Sequence, residues 1–220
     1  MTLFHEQKLT RRSFLIAAGG LLGAAMMAGT AGCSIQPQAA SLPAPEFIFG
    51  KEDTMPKRIL VAYASAAGST VGVAEALGKT LAARGLVVEV KAMKNDPSVE
   101  NYQAVILGSA VHGGRWLPEA AQFVQTHQAQ LKQLPVLGFC VHILNLGADQ
   151  KSQNNRRAYL DPIRAWIPLA DEVYFAGKGV DPDTASDFER FMAWIMHIPA
   201  GDQRDWEKIN GWANEVKIER

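Results

Sequence analysis

RILVAYASAAGSTVGVAEALGKTLAARG, residues 58–85, is the stretch that decides the fold. It opens as an apolar run, RILVAYA, passes through a small hydroxyl-rich turn at Ser65–Thr70, and continues as a helical pattern from Val71 to Arg84 that Gly85 stops. A strand feeding a helix through a tight loop is the unit from which α/β proteins are built. The loop leaves the carboxyl end of the strand and opens a helix, where backbone N–H groups and the helix field favour an anion. It carries no Lys or Arg, and it has neither the GxGxxG nor the GxxxxGK[ST] pattern of nucleotide-binding turns.

The pattern repeats down the chain. LVVEVKAM from Leu86, NYQAVILG from Asn101 to Gly108, PVLGFCVHI from Pro135 to Ile143 and DEVYFA from Asp171 to Ala176 read as four further strands. Near-continuous apolar runs of this kind suit a parallel sheet covered on both faces. The expected fold is a doubly wound α/β domain with a five-stranded parallel sheet. Between the strands, Leu117–Leu131 reads as a helix. Ser186 and Glu189 form a capping-box pattern before a helix whose Phe188, Phe191, Met192, Ile195 and Met196 fall on one face, which is expected to pack in the core. Asp202 is placed to cap a last helix with Trp206, Ile209, Ala213 and Val216 on one side.

The N-terminus reads as an address. Residues 1–33 contain LTRRSFL, with Arg11 and Arg12 directly before an uncharged, Ala- and Gly-rich run from Leu15 to Gly32. This resembles a twin-arginine export signal. The alternative is a membrane anchor, for which 18 residues rich in glycine is short. Thr30-Ala31-Gly32-Cys33 resembles a lipoprotein signal in which Cys33 would take a lipid after cleavage; Thr30 departs from its usual large aliphatic residue. Residues 34–56, rich in Pro, Ala and Gln, read as a linker, leaving 57–220 as the folded domain. The expected location is therefore extracytoplasmic, with the twin-arginine machinery as a partner and the body associated with the membrane.

Charge excludes one function class. The chain has 22 basic and 22 acidic residues, and the part after residue 33 has 19 and 21, so nucleic-acid binding is not expected. The two cysteines, Cys33 and Cys140, show no metal-ligand spacing, and no metal is expected.

In a doubly wound sheet, ligands sit beyond the carboxyl ends of the strands. Three loops leave such ends: Ser65–Thr70, Ser109–Gly114 and His142–Gln150. The first, SAAGST, can hold a phosphate monoester through N–H groups and hydroxyls, the arrangement used for the phosphate of FMN. It resembles the phosphate loop of flavodoxins, TxTGxT, with Ser65 and Ala67 in place of two threonines and Gly68 and Thr70 matching. GSAVHGGRWLPEAAQFV after the third strand, FAGKGVDP followed by FERFMAWIM, and GDQRDWEKINGWANEV near the C-terminus resemble one branch of that fold, the quinone-dependent protoporphyrinogen dehydrogenases. The resemblance covers about Lys57 to Val216.

That resemblance implies a flavodoxin-like sheet of order 2-1-3-4-5 and an FMN cofactor. Ser65, Ala66, Ala67, Gly68, Ser69 and Thr70 would hold the phosphate. Ser109, Ala110, Val111, His112, Gly113 and Gly114 would run along the isoalloxazine ring, and His142, Ile143, Leu144, Asn145, Leu146 and Gly147 would close its other side. His112 or Trp116 could approach the ring. The implied activity passes electrons from a small-molecule reductant, such as a porphyrinogen, to a membrane quinone. Two alternatives remain at this level: an exported one-electron carrier of flavodoxin type, and a binding module of the same fold without flavin. Catalytic residues are not dictated; His112 and His142 are candidates for relaying protons near neutral pH. Gly147–Leu160 (GADQKSQNNRRAYL) reads as a polar insertion, either a solvated loop or one whose Lys151, Arg156 and Arg157 pair with substrate carboxylates or anionic lipid. Cys140 reads as a buried core residue.

Overall fold

The computed structural model describes residues 44–51 and 57–218. The expected export signal, Cys33 and most of the 34–56 segment lie outside these residues. The strands are β1 (Phe47–Phe49), β2 (Arg58–Ala64), β3 (Val87–Ala92), β4 (Ala104–His112), the two-residue β5 (Arg115–Trp116), β6 (Val136–His142) and β7 (Asp171–Ala176). They form one sheet of order β1-β3-β2-β4-β6-β7, with β5 paired to β4. The pairs β3–β2, β2–β4, β4–β6 and β6–β7 are parallel. All three central strands are buried through nearly their full length, which is why they read as unbroken apolar runs.

The helices cover both faces. On one side α1 (Ser69–Ala83) and α7 (Trp206–Glu215) press Val73, Leu77, Leu81, Ile209 and Ala213 onto Ile59, Val61, Ile106 and Phe139. On the other, α2 (Pro118–Thr126), α3 (Gln128–Leu131), α4 (Gln150–Ala158) and α5 (Asp161–Arg164) lie along the chain that supplies Phe123, Leu131, Leu160 and Ile163 to Leu60, Val105 and Leu107. Gly108 is required by close packing. A Cβ there would lie 1.8 Å from Phe139 Cζ, so the phenyl ring fills the place of a side chain.

The structure departs from the sequence-based expectations at several elements. The sheet has more than five strands. The expected linker contributes β1, which pairs antiparallel with β3 through Phe47–Val90 and Phe49–Val88; Phe49 also packs against the open face left by Gly78. Pro and Ala around this segment masked an apolar triplet, Phe-Ile-Phe, long enough to close an edge. The single helix expected over 117–131 is divided at His127. Gly147–Leu160 is not an irregular loop but mainly α4, started by the Asp149 carboxylate accepting the Ser152 N–H at 2.9 Å. The last helix is capped by Asp205, whose carboxylate accepts the Lys208 N–H at 2.9 Å, and not by Asp202, which pairs with Arg204.

The segment after β7 is an excursion of its own. Bridges Lys178–Asp202 and Val180–Ala200 close its base, and α6 (Asp187–Ile195) lies within it behind the expected Ser186–Glu189 capping box. Its apolar face is not core. Ala193 is buried, whereas Phe188 is 71 % and Trp194 75 % exposed, with Phe191, Ile195 and Met196 also open.

Candidate functional site

Three loops at the carboxyl ends of β2, β4 and β6 converge on the edge of the sheet where doubly wound folds bind ligands. The first runs from Ser65 to Gly68. Gly68 precedes α1 with φ of +82°, a left-handed conformation that a side chain strains, and a Cβ there would meet no neighbour. Conformation, not space, demands the glycine. Its N–H is donated to Ser65 Oγ at 3.0 Å, which folds the loop back on itself. Ala66 and Ala67 are exposed and Ser69 half-buried.

The helix start then shows an unmet demand. α1 has no side-chain cap and no acidic residue in its first turn, so no side chain caps its first N–H groups. Thr70 is fully buried, and its Oγ1 is the one buried side-chain oxygen or nitrogen without a hydrogen-bond partner among the described residues. Uncapped N–H groups, a positive helix end and an orphaned hydroxyl fit a phosphate group, which brings only acceptors.

The second loop is shorter than expected. β4 continues through Ser109, Ala110 and Val111 to His112, and the chain reverses at Gly113 and Gly114, with φ of +59° and +77°, to pair His112 with Arg115 and Val111 with Trp116. Two successive residues at positive φ make the tight hairpin turn that Gly-Gly permits. Ser109 is fully buried. Its Oγ accepts the Leu117 N–H at 3.0 Å and donates to Ala110 O at 2.8 Å, so its hydroxyl holds the start of α2. Trp116 is likewise committed to the core, donating its indole N–H toward Cys140 Sγ at 3.1 Å. Cys140 is buried and its thiol pushed up to about 12 by burial, in keeping with a core residue. Only His112, Gly113 and Gly114 present an exposed edge at this loop.

The third loop, Ile143–Gly147, is held by α4. Asn145 takes φ of +60°, a conformation Asn tolerates. Its side-chain amide donates to Tyr159 Oη at 2.6 Å and its Oδ1 accepts from Asn155 at 3.0 Å. Arg156 Nη1 donates to the carbonyls of Asn145 at 2.5 Å and Gly147 at 2.7 Å. Arg156 therefore shapes this loop, while Lys151 and Arg157 stay exposed. Leu144 and Leu146 stand out into solvent.

His142 ends β6 beneath this loop, 5 % exposed, with Nδ1 donating to Leu144 O at 2.7 Å and its ring 5.6 Å from that of Tyr159. Burial pushes its pKa down to about 4, helped by the nearby Arg156 and Lys208. It is neutral at neutral pH, contrary to the expectation of a histidine titrating there.

Two side chains beside these loops escaped the sequence reading. Arg204 lies across the first turns of α1, with Nη1 2.6 Å from where a Cβ of Gly72 would stand. It is held by Asp202 at 2.5 and 2.8 Å and stacks over Trp206 at 4.4 Å. The distinctive GDQRDWE stretch was its only signal. Lys208 reaches back from α7 to donate to Tyr174 O at 2.9 Å, beside His142. Among the described residues no His, Cys, Asp and Glu cluster could hold a metal ion, and no helix is long and apolar enough to cross a membrane.

The chain is similar to several known proteins. The chain is 22% identical over 172 residues to protoporphyrinogen IX dehydrogenase [quinone] of Escherichia coli K12, an alignment covering 72% of this chain and 94% of that protein. Among solved structures it is similar to oxidised flavodoxin 1 from Bacillus cereus, at 13% identity and a TM-score of 0.47 over 73% of this chain and 99% of that one. A Fusobacterium nucleatum flavodoxin bound to flavin mononucleotide matches at 14% identity and a TM-score of 0.40, over 58% of this chain and 73% of that one. The flavodoxin domain family matches residues 60–206, well over half of the sequence, and the chain belongs to that family.

Proposed function

We propose that the protein is an exported FMN-dependent oxidoreductase that takes electrons from a reduced, porphyrinogen-like substrate and passes them to a membrane quinone. The observation that carries the cofactor assignment is the buried, unpartnered Thr70 hydroxyl beside the uncapped start of α1. The E. coli relative, whose name specifies a quinone and protoporphyrinogen IX, supports the reaction class. The twin-arginine pattern of residues 1–33 supports export and membrane association.

FMN, when bound, supplies the redox chemistry. The residues supply the rest. Ser65–Thr70 bind the phosphate through backbone N–H groups and the Thr70 hydroxyl, and the positive end of α1 makes a basic side chain in the loop unnecessary. His112–Gly114 and Ile143–Gly147 flank the place for the ring, the latter fixed by Arg156, Asn155 and Tyr159. His142, neutral and donating through Nδ1, offers Nε2 as an acceptor rather than an acid.

The purified chain, incubated with FMN and desalted, is expected to keep a flavin visible spectrum, and the Ser65→Ala, Thr70→Ala double variant to lose it. A colourless wild-type protein would refute the assignment. Anaerobic reduction by protoporphyrinogen IX followed by reoxidation with a quinone tests the reaction. Cycling with protein partners alone would make the protein a carrier instead.

A further inference from the structure

The carboxyl ends of β6 and β7 border a second opening, which shares the Ile143–Gly147 loop with the proposed place of the ring. It is a cleft of about 370 Å³ lined by His142, Leu146, Arg156, Tyr174, Gln203 and Lys208. By the spacing of strands, β6 lies two strands, about 10 Å, across the sheet from the β2 loop. The cleft therefore lies next to the loop that would border the ring, beyond the phosphate end.

Its chemistry is lopsided. Arg156 and Lys208 come from different helices, and neither has an acidic side-chain partner among the described residues. Both are tied to carbonyls only, Arg156 through Nη1 and Lys208 to Tyr174 O, so each keeps unused donors. The one acidic lining residue, Asp205, has its carboxylate on the Lys208 backbone N–H. His142 adds no charge at neutral pH, because burial keeps it neutral. Two cations against one carboxylate suit a monoanion better than a doubly charged phosphate. Leu146 in the lining and Leu144 beside it, 39 % and 38 % exposed, add an apolar ridge to the rim.

We propose that this cleft binds a carboxylate of an otherwise apolar small molecule, with Lys208 and Arg156 holding the anion and Leu144 and Leu146 receiving the apolar body. The site rests on the redox reading for one point, that the molecule held there is the reductant. An apolar acid anchored at the ends of β6 and β7 extends over the Ile143–Gly147 loop toward the place of the ring. Lys208 and Arg156 act in binding and positioning and take no part in electron transfer.

The test uses the full chain loaded with FMN and titrates it with protoporphyrin IX, a dicarboxylate, by fluorescence, with its dimethyl ester and inorganic phosphate as the other arms. Lys208→Met is expected to weaken protoporphyrin IX binding about tenfold and Lys208→Arg to restore it, while the dimethyl ester binds weakly and equally to all three proteins. Thermal melts confirm that each variant is folded. Unchanged affinity in Lys208→Met, or an ester that binds as tightly as the acid, overturns the site. Displacement of the porphyrin by millimolar phosphate overturns the carboxylate assignment in favour of a general anion site. The flavin spectrum of the same samples separates the two readings: retained flavin with no Lys208 effect removes the carboxylate site alone, and lost flavin with a clear Lys208 effect removes the redox reading alone.

Discussion

A buried hydroxyl without a partner costs on the order of 1–3 kcal/mol, and Thr70 is in that position at the start of α1. Exchanging Thr70 for Val keeps the shape and removes the unmet oxygen. The flavin-free variant is expected to melt at the same temperature as wild type or higher, while its FMN dissociation constant rises about tenfold or more; calorimetry and a flavin titration check both. His142 gives a second outcome at this scale. Its pKa falls from the ordinary 6.5 to about 4 on folding. The unfolded chain thus binds the proton first, and stability present above about pH 6.5 is lost as the pH falls toward 4. Linkage puts the loss on the order of 3 kcal/mol. His142→Asn is expected to flatten urea-unfolding stability across that window. The Asp202–Arg204 pair acts below it, since Arg204 holds the Asp202 carboxyl down at about 2. The Ser65–Thr70 loop was legible in the sequence because everything it needs is local: a strand, small residues, a glycine and a helix. Arg204 was not, because its place against Gly72 is set by a contact spanning more than a hundred residues. The role of Arg156 was not legible either, since it depends on which carbonyls Asn145 and Gly147 turn toward α4.

Among the elements, α6 marks the limit of periodicity. Phe188, Phe191, Ile195 and Met196 share one side of the helix, as their spacing predicts, but spacing does not say whether that side meets protein or solvent. The core next to the sheet is already filled by α1 and α7, and α6 rests on Ala193 instead. Replacing Phe188 or Trp194 by Ser is therefore expected to change unfolding free energy by less than about 0.5 kcal/mol, where truncating a core aromatic costs about 3–5 kcal/mol. Thermal unfolding of the two variants beside Phe139→Ala distinguishes the cases. The β4–β5 hairpin shows a related limit. SAVHGG reads as a turn because it ends in two glycines, yet Ser109–His112 still pair as strand, and the reversal is confined to the glycines themselves. The strands were legible for the opposite reason: burial on both faces leaves little but Val, Ile, Leu and Ala to mark them.

At the scale of the molecule, the expected boundary at residue 57 falls inside the folded body. Phe47 and Phe49 pack on the α1 face of the sheet, and Tyr63 Oη, inside the core, donates to Pro45 O at 2.6 Å. A chain beginning at Lys51 is expected to be less stable than one beginning at Leu42 by about 2–4 kcal/mol, from the apolar area of two half-buried phenyl rings. Chemical denaturation of the two measures it. The α/β class and the position of the loops at the strand ends survive this shift of boundary, because both follow from the central strands and not from the edge. The position of β1 also has a consequence for handling and maturation. β3 is otherwise the outermost strand on that side, with Val88 and Val90 along its length. A protease that removes residues up to about 43 leaves this row of backbone donors and acceptors covered. One that cuts beyond residue 50 leaves it bare, a template for a second molecule to pair with. Trimming a few residues too far would then bare an edge through which the body can associate by way of its own sheet.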